Sequence, residues 1–589
     1  MSFGRKGAIG LPRPVMRGRL SGPLALFLVL VASTGCRNSS EPHSVLLTQD
    51  VVTLKKGRAE LTMIGRAVVG DWESDSLELR GDYFLEFLPI VTGKNGPANF
   101  SILVRSGGHV QEIAVVEGVP EEEIGRYLVD SLRPVSIDLS AFRGQTVQVV
   151  VRLADSTGDR RGIIGLPRLR PVSHSADRPP DILMICSDTL RWDTSVGPVG
   201  SRLMPALGRL QGDVVSYRGA FSTASWTMPS ITTVLTGLYP RFHGTGERSA
   251  AVASGPPPGH FSFESTEGTE FLRTYPRDLE SLPERLLAAG YSTKMVAGNP
   301  LYFLSGLARD GFEMAVRAGI SPGPRITQLA KRLLLSSDPD VPLFLLVHYM
   351  DPHEWEDRYV DLFGSDADPS NDPEGVREAY TKAVAKGDRA IGALLRTWGR
   401  SRGDETLIVF WSDHGEHLLE NDLLGHGNSM SDLLLKVPLV VRYPPEAGPN
   451  AAAAKRSVSL ADLTPTILDV AGVSYDDATF SGESLLQSPA STERFHFADY
   501  QLYGPELASI RQGDYKLVID LESGDSELWQ SRGAEEHQEV ENARLTEDLM
   551  KAYQAYLSAA RTARQDLELP DAVDDDEALE ALKELGYVQ

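Results

Sequence analysis

At 589 residues the chain is too long for one hydrophobic core, and its content, 41% hydrophobic and 24% charged, excludes a disordered or fibrous protein. Its 81 acidic against 58 basic residues give a formal net charge of -23, which excludes any global attraction for nucleic acid or anionic lipid. With only two cysteines, Cys36 and Cys186, it has no disulfide framework.

The chain opens with Arg5, Lys6, Arg13, Arg17 and Arg19, then an apolar run from Pro23 to Ala32, then Ser33-Thr34-Gly35-Cys36. A basic segment, a short apolar core and small residues before a cleavage point form the pattern of a signal peptide, and the apolar run is too short to span a bilayer comfortably. Small residues directly before a cysteine resemble a bacterial lipobox. That resemblance implies a lipoprotein signal over 1–36, with Cys36 as the lipidated first mature residue. It places the protein at the cell envelope, anchored to a membrane and facing the periplasm or the exterior. The polar residues 37–42 then form a tether.

From 43 to 173 the pattern is one of short strands between turns, including Ala59–Ile64, Tyr83–Leu88, Phe100–Val104, Val110–Val116 and Val147–Leu153. No helical period of ten residues interrupts them, which predicts an all-β sandwich. Its closing segments resemble jelly-roll accessory modules, for which carbohydrate binding and a spacer role are both open. After a polar linker, residues 180–490 alternate apolar runs with helical stretches. The runs are Asp181–Cys186, Leu343–Val347, Leu407–Trp411 and Val437–Val441, and the helices include Leu282–Ala289 and Ala379–Leu395. Such alternation predicts an α/β fold with a doubly wound sheet. Residues 491–545 read as a small antiparallel sheet, and 546–589 as a helix and an acidic tail.

Function in open α/β sheets collects beyond the carboxyl ends of strands. Three runs end there in polar clusters: Ser187-Asp188-Thr189, His348-Tyr349-Met350-Asp351-Pro352-His353, and Ser412-Asp413-His414-Gly415-Glu416-His417. Five of the twelve histidines (His348, His353, His414, His417 and His426) lie between positions 348 and 426. Aspartate and neutral histidine are ordinary ligands for divalent ions. A fourth element, Thr223 through Ser230, leads into a helical run, and Pro229 fits its first turn. Thr227 would stand at that helix entrance, where free N–H groups favour an anion. It is either a helix cap or a nucleophile; beside the Asp and His clusters, the nucleophile is the stronger reading.

With these motifs in this order, the sequence resembles the sulfatase family of the alkaline-phosphatase superfamily. Asp188-Thr189-Leu190-Arg191, Thr227-Met228-Pro229-Ser230 with Leu235-Thr236-Gly237 and His243-Gly244, His348 to His353, Asp413-His414-Gly415, Gly425-His426-Gly427 and Leu460 to Thr466 carry the resemblance. It implies a mixed α/β sheet of the alkaline-phosphatase and sulfatase type, with one divalent metal ion (Ca, Mg, Mn or Zn). Asp188, Asp413, His414 and the Thr227 oxygen would hold the ion. His353 and His426 would bind the non-bridging oxygens of a small-molecule or glycan sulfate or phosphate ester, and Arg191 would support either that anion or the first strand end. The reaction implied is in-line attack by Thr227 on sulfur or phosphorus.

Two departures qualify the resemblance. Sulfatases proper carry a Cys or Ser that matures to formylglycine, with an Arg four residues on; here Thr227 and Ile231 occupy those places. Their Lys-x-His segment is replaced by Ala297-Gly298-Asn299-Pro300. Threonine nucleophiles resemble the superfamily's phosphodiesterases and phosphoethanolamine or phosphoglycerol transferases, so a transferase is one alternative. A catalytically inactive glycan-binding lipoprotein is another. A second metal on Asp351, His353 and His426 is conceivable, but the spacing of two-metal relatives is absent, which favours one ion. The Gly246–Tyr275 stretch, rich in Gly, Ser and Pro, is either a cover for the site or a disordered insertion.

Overall fold

The computed structural model describes residues 45–567, apart from 47–50, 57–58, 69–70, 81, 93–97, 121–133, 154–160, 172–177, 196, 248–273, 446, 450–454, 488–493, 533–535 and 566. The signal peptide, Cys36, the tether, most of the Gly246–Tyr275 stretch and the acidic tail therefore lie outside the described residues. Among the described residues, no helix is long and apolar enough to cross a membrane.

The strand Asp181–Ser187 is buried at every position because its apolar side chains serve two faces. Ile182, Met184 and Cys186 point into one hydrophobic cluster, and Leu183 and Ile185 into another. It lies parallel between Leu343–Tyr349 and Thr406–Trp411, whose residues alternate between the same two clusters. One face is covered by helices Thr227–Thr236 and Leu463–Ala471, the other by Gly323–Ser336 and Pro373–Arg402. This is a doubly wound sheet, and it is mixed. Parallel strands run from Met314–Arg317 through Thr406–Trp411, and Lys436–Tyr443 joins antiparallel.

The β-rich N-terminal region is continuous with that sheet. The strand Ala59–Val68 pairs over its first half with Met314–Arg317 and over its second half with Arg161–Pro171. A separate five-stranded sheet packs against the N-terminal part of this long sheet through Trp72, Phe87, Phe100, Ile102, Val149 and Val151. At the junction, the Arg168 guanidinium bridges Glu86 at 2.9 Å and Glu313 at 3.0 Å, while Arg170 meets Glu86 at 2.7 Å. Ser292 Oγ donates to the other Glu313 oxygen at 2.7 Å.

At the far end, Phe495–Ala498, Leu507–Gln512, Tyr515–Asp520, Ser526–Arg532 and Glu536–Glu539 form an antiparallel sheet, closed by helix Ala543–Arg564. Asp432, buried with Arg511 and Lys516, ties it to the α/β unit.

Candidate metal centre

Asp188 begins where strand Asp181–Ser187 runs out. Its N–H still donates to Tyr349 O at 2.9 Å, and the next residue, Thr189, turns the chain at a φ of 55°. A threonine in the left-handed region is strained. The Tyr380 hydroxyl holds the turn by donating to Thr189 O at 2.8 Å. On the neighbouring strand, Ser412 Oγ donates at 2.7 Å to Ser187 O and accepts the Leu190 N–H at 2.9 Å, locking the two strand ends together. Asp413 and His414 follow directly.

His414 Nδ1 lies 2.9 Å from Gly415 O. A carbonyl can only accept, so Nδ1 carries the proton and Nε2 presents its lone pair. That lone pair faces Thr227 Oγ1 at 3.2 Å, Asp413 Oδ2 at 3.5 Å and Asp188 Oδ1 at 3.6 Å. Thr227 is not the cap of its helix. Trp226 is, in extended conformation, and no side chain makes the capping bond. The Thr227 hydroxyl is thereby left for the site. Trp226 is pinned by its indole N–H donating to Tyr500 O at 2.5 Å.

The four groups fit a divalent cation. Asp188, Asp413 and His414 are fully buried, and one ligand atom from each lies within 4.8 Å of the others. Asp188 Oδ1 and Asp413 Oδ2 accept no hydrogen bond, an unfavourable state for dry carboxylates unless a cation completes it. Burial, and after it the Asp413 charge, push the Asp188 carboxyl well above the usual carboxylate range. Burial also drives His414 down to about 4, which suits a neutral ligand.

The expected anion contacts adjoin this group. The His426 ring stands 4.5 Å from that of His414 and 5.3 Å from that of His353. Gly427, at a φ of 73°, turns the chain behind it, where a Cβ would press on Leu502. Burial and the His353 charge lower His426 to about 3. Its 3.3 Å contact with Glu416 is therefore a hydrogen bond, not an ion pair. Burial opposes protonation of His353, but Glu354 at 3.0 Å, Asp188 and Glu416 outweigh it and raise the imidazole to about 10. His353 is thus a cation, and its Nε2 has no partner.

Arg191 is a correction. Its guanidinium is held by Asp193 at 2.6 Å and Glu420 at 2.7 Å, with a further bond to Glu416 O, so it braces the strand-end turn rather than an anion. Asp351 accepts from the Gly323 N–H at the start of its helix, and His417 bonds Ser429. Ile231 is core. The residue whose role went unread is Asn299, just past strand Ser292–Ala297. Its Nδ2 donates to Asp188 Oδ2 at 2.8 Å and reaches Thr227 Oγ1 at 3.4 Å, while its Oδ1 accepts the Leu301 N–H. No clear apolar run marked its strand, whose first three residues, Ser292, Thr293 and Lys294, are polar.

Comparison with known proteins agrees with this geometry. The Sulfatase family model matches residues 180–473. The choline-sulfatase of Rhizobium meliloti strain 1021 is 33% identical over 171 residues, 26% of this chain and 32% of that protein. The ulvan-active sulfatase of Formosa agariphila is 22% identical over 330 residues, 52% of this chain and 64% of that protein. The chain thus spans less than two thirds of the length of either curated relative. The solved structure of a 2-O GAG sulfatase superposes with a TM-score of 0.52 at 15% identity, over 67% of this chain and 95% of that one, a likeness of fold. Through residues 180–473 the chain belongs to the sulfatase family of the alkaline-phosphatase superfamily.

Proposed function

We propose that the protein is a metal-dependent hydrolase of sulfate or phosphate esters that uses Thr227 as its nucleophile, anchored at the cell envelope through a lipid on Cys36. The observation that carries this reading is the 3.2 Å hydrogen bond between Thr227 Oγ1 and the unprotonated Nε2 of His414, beside two buried and unpartnered carboxylate oxygens. A divalent ion held by Asp188, Asp413, His414 and Thr227 would acidify the hydroxyl and offset charge on the ester oxygens.

The chain's own groups divide the remaining work. Thr227 Oγ attacks sulfur or phosphorus in line and gives its proton up to solvent, while the ester oxygen departs with the bonding pair and takes up a proton to become the alcohol. A water then cleaves the threonyl ester and restores the hydroxyl. Cationic His353 and neutral His426 face the non-bridging oxygens, where charge accumulates. Asn299 fixes Thr227 relative to Asp188. Oxidation at a threonine Cβ gives a ketone, not the aldehyde of formylglycine, so the hydroxyl itself is the group supplied for attack. The sulfatase names of the relatives favour sulfate esters, glycan-borne ones included.

The test is a screen of the metal-loaded protein against aryl sulfate, phosphate monoester, phosphodiester and phosphonate substrates. Turnover of one class, lost with chelator and in Thr227→Ala, is expected; no turnover of any class, or full activity in Thr227→Ala, overturns the reading. Cys36→Ser is expected to move the protein from membranes to the soluble fraction.

A further inference from the structure

Beneath the candidate metal centre lies a second group of ligand atoms that the proposed reaction leaves unused. Cys186 pairs with His348 on one side and with Trp411 on the other, across three adjoining parallel strands. Side-chain alternation then carries Asp413, two residues beyond Trp411, toward the same face. Strand register thus sets a thiol, an imidazole and a carboxylate side by side. All three residues are fully buried, and one ligand atom from each lies within 4.8 Å of the others.

His348 separates this group from ordinary packing. Neither of its ring nitrogens has a hydrogen-bond partner. The nearest carboxylate oxygen, Asp188 Oδ2, stands 3.5 Å from Nε2, and the Tyr302 ring meets the imidazole edge-on at 5.0 Å. A dry imidazole with both nitrogens unmatched is costly, and a core histidine without function finds a partner for at least one.

We propose that Cys186, His348 and Asp413 form a second cation site, joined to the Asp188–Asp413–His414 group through Asp413. Its donors choose the ion. A thiolate with an imidazole selects a thiophilic divalent ion of the zinc type, whereas two carboxylates, an imidazole and a hydroxyl make a harder set. On binding, the Cys186 thiol releases its proton to solvent and the sulfur donates a lone pair to the ion. The added positive charge offsets repulsion between Asp188 and Asp413. This site goes beyond the proposed ester hydrolysis and holds whether or not Thr227 is the nucleophile.

The test uses the full chain, stripped of metal and reloaded with Co²⁺ alone. Two ions per chain and a thiolate-to-cobalt charge-transfer absorption are expected. Cys186→Ser should lose that absorption and one ion, while His414→Ala should lose one ion and keep the absorption. Zinc-edge X-ray absorption of the wild-type protein loaded with Zn²⁺ alone needs no variant to fold, and a sulfur shell at about 2.3 Å is expected. A wild-type protein that binds one ion through nitrogen and oxygen only overturns the second site and leaves the first standing. Loss of all bound metal in His414→Ala also overturns it.

Discussion

The buried charges at the junction of the β-rich region and those at the strand ends are equally dry, but they are balanced differently. At the junction, Arg168 and Arg170 meet Glu86 and Glu313, and Ser292 takes a remaining carboxylate oxygen. At the strand ends, Asp188 and Asp413 each keep an oxygen with no partner, and the nearby protein cation is His353. Burial costs the same kind of energy in both places. A scaffold recovers it within the chain; a site that takes a cation or an anion leaves part of it for the ligand.

Three perturbations separate the two regions. The largest effect is expected from Thr227→Ala, which should lower turnover by about a thousandfold or more while the thermal unfolding transition stays in place, as loss of a nucleophile does. Arg168→Met should show the reverse pattern, destabilising the fold by about 3–5 kcal/mol in denaturant titration because two glutamates lose a buried partner. Asp188→Asn should raise the stability of chelator-treated protein by about 1–2 kcal/mol, because it relieves a repulsion that burial magnifies, yet empty the ion site it forms with Asp413, His414 and Thr227. An equal loss of stability in the Asp188 and Arg168 variants would erase the distinction between the two clusters.

The smallest effect concerns pH. His243 Nδ1 accepts the Thr245 N–H at 3.1 Å, and its Nε2 lies 3.2 Å from Thr233 Oγ1. Burial and then the Arg564 charge lower this imidazole to about 3, against 6.5 when exposed. Between those values the unfolded chain binds the extra proton, so stability is present above pH 6.5 and is lost as the pH falls toward 3. The slope reaches at most about 1.4 kcal/mol per unit for this group. Unfolding midpoints measured across that range should show it on top of the like-signed slope from His414 and His426, and His243→Asn should reduce the total by this one group's share.

Much of the α/β unit was legible because parallel strands buried on both faces must be continuously apolar, and their polar ends then stand out. Asp188, Asp413 and His414 were visible for that reason, and Thr227 through Pro229 and the helix after it. What the sequence hid depends on partners far apart in the chain. Arg191 looked available to an anion until folding set Glu420 beside it. The continuity of the two regions rests on Glu60 pairing opposite Arg317, which no local pattern marks. Strand Glu536–Glu539 is wholly polar and exists only because Ser526–Arg532 offers it an edge. Asn299 follows a strand whose Ser292, Thr293 and Lys294 blur the apolar run, so its position at a sheet end was not apparent.

The central claim is that Thr227 carries the transferred group. Acid quenching of the metal-loaded protein during turnover, followed by peptide mass spectrometry, addresses it directly. A sulfo or phospho adduct on Thr227 in the peptide around it, absent in Thr227→Ala, is the expected result. An adduct on another residue, with turnover intact in Thr227→Ala, would contradict the account.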